Sequence, residues 1–74
     1  RVKAVSELTD VERAIMEMPG VYRKIFRMKY VWGYSNQEIG ELLGIRQSAL
    51  RQRIARGKKI LQDILDEMEV DTHG

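Results

Sequence analysis

Cysteine is absent from the 74-residue chain and histidine occurs once, which excludes a disulfide framework and any zinc finger. A cysteine-free chain suits the reducing cytoplasm, the compartment expected for it. No apolar run approaches the ~18 residues needed to span a bilayer, and no signal peptide is visible, so no membrane partner is expected. Glycine-rich phosphate loops, nucleophile–base pairs and clusters of metal ligands are missing as well. Their absence argues against an enzyme, and neither a cofactor nor a small-molecule ligand is expected. Acid is missing over one long stretch: between Leu42 and Gln62 there is none, while Arg46, Arg51, Arg53, Arg56, Lys58 and Lys59 are all cationic.

What is present has a globular balance, with 43% hydrophobic and 32% charged residues. A domain this small buries only ~60% of its chain's accessible surface and is marginal on its own. The formal net charge of +2 conceals a strong asymmetry, because the basic stretch is followed by Asp63, Asp66, Glu67, Glu69 and Asp71. A basic surface beside an acidic end suggests one oriented partner.

The chain is organised around residues 35–61. Ser35 and Glu38 have the spacing of a capping box, in which each side chain bonds the other residue's backbone N–H. Ile39, Leu42 and Leu43 then carry the 3.6-residue apolar period of a short buried helix. Gly40 lies on the same stripe without a side chain and lets a neighbouring helix approach closely. Gly44 falls where that helix must stop, and glycine tolerates the left-handed conformation such a stop often requires. Ile45 tucks back into the core. A second helix starts a few residues later, the connection length of a DNA-binding helix-turn-helix. Leu50, Ile54, Gly57 and Leu61 share one of its faces. The opposite face carries Ser48, Gln52, Ala55 and Lys59, flanked by Arg51 and Arg56, with Gln47 at its first turn. Short polar groups bordered by cations are what base edges and phosphates call for.

Upstream, Thr9 and Glu12 form a second capping box, and Val11, Ala14, Ile15 and Met18 supply a buried stripe. Pro19 ends that helix and is suited to the first turn of the next, which runs from about Gly20 to Trp32. Its stripe is Val21, Ile25, Met28 and Trp32, widened by Tyr22 and Phe26. Trp32 reads as core rather than as a base-stacking group. Gly33 ends the helix. The last helix is expected from Gln47 to Met68, ~33 Å at 1.5 Å per residue. Residues 1–8 read as a linker or frayed terminus and residues 69–74 as a disordered tail, with His73 a bystander. The ordered part, residues 9–68, is therefore an all-α domain: four helices in a small bundle containing a helix-turn-helix with a long basic C-terminal recognition helix.

These residues resemble region 4 of the bacterial sigma-70 superfamily, most nearly its extracytoplasmic-function type. The resemblance rests on Pro19, Lys29, Tyr30, Gly33, Ser35, Glu38, Ile39, Leu43, Gly44, Ile45, Leu50, Arg51, Arg53, Ile54 and Arg56, and covers about Val11 to Leu65. It implies a sequence-specific DNA-binding domain of a sigma factor that recognises the −35 element of double-stranded promoter DNA in transcription initiation. Arg51, Gln52, Ala55 and Arg56 would face the major groove, and Ser35, Asn36 and Gln37, at a helix N-terminus, would hold phosphate. The implied partners are the RNA polymerase core, through its flap region, and an anti-sigma protein. The chain shows no counterpart of region 2, the part that melts the promoter, so by itself it is not expected to initiate transcription. Four positions depart from the pattern. Arg46 replaces the usual Ser or Thr cap, Ala55 stands where an aromatic or histidine is common, and Arg27 interrupts a usually apolar run. Gly57 replaces an alanine-like residue at a cost of ~1 kcal/mol.

Two other readings compete. One is a sigma-like phage or response-type transcriptional regulator, which a preceding region 2 would rule out. The other is an interaction module that binds polymerase or an anti-sigma protein, with vestigial DNA binding. The basic face from Arg51 to Lys59 argues against the second. Arg53, at the edge of the buried stripe, is placed to pair with Glu38 or Glu41.

Overall fold

Helix-end signals written within three or four residues set the boundaries of this domain. The computed structural model describes the backbone of residues 9–73 and the side chains of residues 9–68. The expected linker at residues 1–8 lies outside the described residues. Helix α1 spans Asp10–Met16, with the Thr9 hydroxyl accepting from the Glu12 N–H at 3.1 Å and the Glu12 carboxylate accepting from the Thr9 N–H at 3.0 Å. Helix α2 spans Gly20–Phe26 and continues as a π-helical segment over Arg27–Val31. Helix α3 spans Asn36–Leu43 behind the capping box of Ser35 and Glu38, and α4 runs from Gln47 to His73. The four α-helices and the fold class match the expectation.

Pro19 caps α2 from outside instead of entering its first turn. Its φ of −55° and ψ of 148° are extended, and its carbonyl accepts the Tyr22 and Arg23 N–H groups, each at 2.9 Å. The backbone of α4 remains helical past Met68 to His73, where a disordered tail was expected. No proline or glycine stands between Lys58 and His73 to stop it.

Ile15, Met18, Ile25, Phe26, Met28, Ile39, Leu50 and Ile54 form the core, with Tyr22, Leu43, Ile45, Ile60, Leu61 and Ile64 packed against it. Helix α4 crosses α1, α2 and α3, so one helix supplies a wall to all the others. At ~25 cal/mol per Å² of apolar surface, burial of these side chains is the main stabilising contribution.

Four apolar assignments need correction. Val21 and Trp32 are 53% and 52% exposed, not members of a buried stripe. Val21 precedes any irregularity: Ile25 and Phe26 centre the buried arc of α2, and Val21 lies roughly 90° from that centre. For Trp32 the stripe assumed a constant 3.6-residue period, but the Trp32 N–H bonds to the Arg27 carbonyl at 2.9 Å, one residue beyond the α-helical partner. This wider turn shifts the frame and carries Trp32 to the surface. The chain then leaves the helix at Gly33, whose φ is 80°. Leu42 is 63% exposed, because Ile39, Gly40 and Leu43 centre the buried arc of α3 and Leu42 lies roughly 100° from that centre. Val11, in the first turn of α1, is likewise 40% exposed.

Candidate nucleic-acid interface

Gly44 sets the geometry between α3 and α4. Its φ of 70° and ψ of 34° are left-handed, and its N–H bonds to the Gly40 carbonyl. The Ile45 N–H reaches the same carbonyl at 3.0 Å. Two donors thus satisfy one orphan acceptor at the helix end, and the chain reverses within three residues.

Beyond the turn, the buried face of α4 is the expected one: Leu50 and Ile54 are in the core, Gly57 is buried and Leu61 is packed against the core. The opposite face therefore points to solvent, and Ser48, Arg51, Gln52, Ala55, Arg56 and Lys59 are all exposed. Among the described residues none of these side chains is engaged in a hydrogen bond or ion pair. They form a contiguous strip of small and polar groups edged by cations, free to meet an outside surface. Such a strip can offer hydrogen bonds to base edges and charge to phosphates.

Gln47 is the exception. It is half-buried, and its Nε2 donates to the Asn36 carbonyl at 2.9 Å, so the side chain reaches back to α3.

The N-terminus of α3 brings together the residues expected to hold phosphate. Ser35 accepts from the Glu38 N–H at 3.1 Å and donates its own N–H to the Glu38 carboxylate at 2.8 Å. Gln37 is exposed, with its amide 3.5 Å from Glu41. Asn36 is half-buried, and its Oδ1 accepts from the Lys29 ammonium at 2.9 Å. Lys29 thus places a positive charge at a helix end that already carries a partial positive charge. Its sequence signal was a second acid-free run, from Met18 to Gln37.

The ion pair expected between Arg53 and Glu38 or Glu41 does not form among the described residues. Each carboxylate instead bonds a near neighbour in sequence, that of Glu38 the Ser35 N–H and that of Glu41 the Gln37 amide. Arg53 is half-buried all the same.

A second cationic feature lies on α2. Gly20, Arg23, Lys24, Arg27 and Trp32 line an open pocket of about 350 Å³. The Arg27 guanidinium stands 5.2 Å from the centre of the Trp32 ring, and Tyr34 meets that ring edge-on at 6.3 Å. The constant-period reading of α2 hid this group by assigning Trp32 to the core.

Comparison with known proteins agrees with the geometry. The family model described as Sigma-70, region 4 matches residues 8–61. The chain is 33% identical over 58 residues to the ECF RNA polymerase sigma factor SigW of Bacillus subtilis (strain 168), covering 78% of this chain and 31% of that protein. It is 32% identical over 63 residues to the ECF RNA polymerase sigma factor SigE of Mycolicibacterium smegmatis (strain ATCC 700084 / mc(2)155), covering 85% of this chain and 24% of that one. The chain thus spans less than a third of the length of either relative. No solved structure matches it at the same significance.

Proposed function

The chain belongs to the sigma-70 region 4 family, and from that premise we propose that it is the promoter-recognition domain of a sigma factor of the extracytoplasmic-function type. It reads the −35 element of duplex DNA while held on RNA polymerase. The observation that carries this reading is the acid-free, unengaged strip on α4, presented by a helix-turn-helix whose corner is fixed at Gly44. Arg51, Gln52, Ala55 and Arg56 face base edges, Ser48 and Lys59 flank them, and Ser35, Asn36 and Gln37 meet the phosphate backbone with help from Lys29.

Binding to polymerase, through its flap, falls to the outer helices. Exposed Met16, Val21 and Trp32 on α1 and α2 support this, together with the cations beside Trp32. Tryptophan and arginine are the residues in which interface hot spots are enriched. An anti-sigma protein that covered the same surfaces would silence both contacts. No helix among the described residues is long and apolar enough to cross a membrane.

One recognition helix gives one half-site, so the isolated domain binds weakly and polymerase supplies the rest. About four to six phosphate contacts give a steep loss of affinity with salt, a slope near −0.9 per contact. Fluorescence anisotropy with a −35-containing duplex at physiological salt tests this. The expected dissociation constant lies near the tight end of the ~10⁻⁴–10⁻⁶ M non-specific range. Nanomolar binding by the monomer would overturn the reading in favour of an autonomous regulator.

A further inference from the structure

The start of α4 lacks the device that starts α1 and α3. Arg46 precedes it, and a guanidinium has no acceptor with which to cap free N–H groups. Only the Arg46 carbonyl takes part, accepting the Leu50 N–H at 2.9 Å. Gln47 makes a different connection, from its Nε2 to the Asn36 carbonyl eleven residues earlier. In an α-helix that carbonyl already receives the Gly40 N–H, so both of its lone pairs are used. Gly40 is buried, and a Cβ there would collide with the Gln47 amide nitrogen and stand 3.0 Å from the Ile45 carbonyl. The amide of Gln47 fits because residue 40 has no side chain.

We propose that Gln47 is a positioning residue for DNA recognition. Seated in the notch left by Gly40, its amide fixes the rotation of α4 on α3, in place of the cap that Arg46 cannot provide. It reads no base itself. Arg51 and Gln52 lie about one turn farther along the same rigid helix, so their aim depends on that rotation. Binding constellations hold their function only within about 10–20° of the productive orientation. The purpose assigned to this lock rests on the promoter-recognition reading, whereas the lock itself does not.

The test is a double-mutant cycle in the full chain: Gln47→Ala, Gly40→Ala and the two combined. Alanine is a good helix former at both places, so the fold is not at risk from propensity. The probes are a duplex enriched by the parent chain from a random-sequence pool and a scrambled duplex of the same composition. Each single variant is expected to lower the ratio of specific to non-specific affinity about fivefold or more, a coupling typical of residues in contact. The loss should spread over all positions of the site. Affinity for the scrambled duplex should stay unchanged, since no cation is removed. The double variant should be no worse than Gly40→Ala alone, with which it shares the contact at the Ile45 carbonyl. Relaxation of one base position by Gln47→Ala alone would overturn the proposal by making Gln47 a base reader. An unchanged ratio, or additive losses, would overturn it too. If the parent enriches no sequence, the promoter-recognition reading fails, and the lock is then decided by thermal unfolding: non-additive melting shifts uphold it and additive ones overturn it.

Discussion

Phe26 and Gly57 share one space: a Cβ on residue 57 would stand 2.6 Å from Cζ of the Phe26 ring and 3.2 Å from Cδ1 of Tyr22. Phe26 is completely buried, so the ring has nowhere to retreat. The glycine that weakens α4 as a helix is what allows α2 to close on it. Gly57→Ala should therefore destabilise the domain. Overpacking costs ~1–3 kcal/mol and alanine returns ~1 kcal/mol of helix propensity, which leaves a net loss of up to about 2 kcal/mol. For a domain of this size, ~1 kcal/mol shifts the melting temperature by about 4–8 °C. Phe26→Leu in the same background should recover part of the loss. A Gly57→Ala protein that melts at or above the parent would show that the ring gives way.

Gly44 presents the opposite situation, since a Cβ there would meet nothing within 4 Å. Any cost of replacement comes from the backbone alone, at φ 70°. Gly44→Asn should be the mildest substitution, Gly44→Ala should cost ~1–2 kcal/mol, and Gly44→Val should cost more and lower helical circular dichroism. Urea denaturation of the three variants checks the order. Equal midpoints would mean that residue 44 leaves the left-handed region when replaced.

Trp32 and Phe26 should separate sharply in stability. Trp32 is half exposed and held by the Arg27 guanidinium, an exposed cation–π contact worth ~0.5–1 kcal/mol. Trp32→Ala should lower stability by no more than about 1 kcal/mol, and Phe26→Ala by ~3–5 kcal/mol. As the chain's one tryptophan, Trp32 should also emit as a solvent-exposed indole in the folded state. A strongly blue-shifted emission would contradict its surface position.

Arg51→Ala should relax one position of the preferred DNA site by ~1–3 kcal/mol, the worth of a bidentate arginine–guanine contact, with the melting temperature unchanged. Arg51 is exposed and no described residue holds it, so its removal leaves the bundle intact. Selection of binding sites with the variant is the measurement. An unchanged site preference at lower affinity would assign Arg51 to phosphate.

Most of the fold was legible because its boundaries are local. Ser35 with Glu38, Thr9 with Glu12, and Gly44 all announce themselves within a few residues, and each behaves in the structure as its chemistry requires. The apolar period of α4 was equally clear, and with it the strip from Ser48 to Lys59. Trp32 escaped because a single wide turn changes which residues share a face, and nothing in side-chain chemistry marks that turn. Arg53 escaped because charge opposite charge suggests a pair, whereas in the structure Glu38 and Glu41 bond near neighbours in sequence. The inward turn of Gln47 was hidden for a third reason. It depends on a hole at Gly40 and a carbonyl at Asn36, which only the turn brings together.

The uninterrupted run of α4 from Gln47 to His73 has a mechanical consequence. Its 27 residues make a rod of ~40 Å, with cations toward one end and carboxylates toward the other. Such a rod has no joint between the part that would lie in a groove and the part beyond the bundle. Whatever grips the acidic end therefore holds a lever. A tilt of about 10° around the middle of the rod swings each end by about 3.5 Å, close to the ~3.4 Å rise between successive bases of one DNA strand.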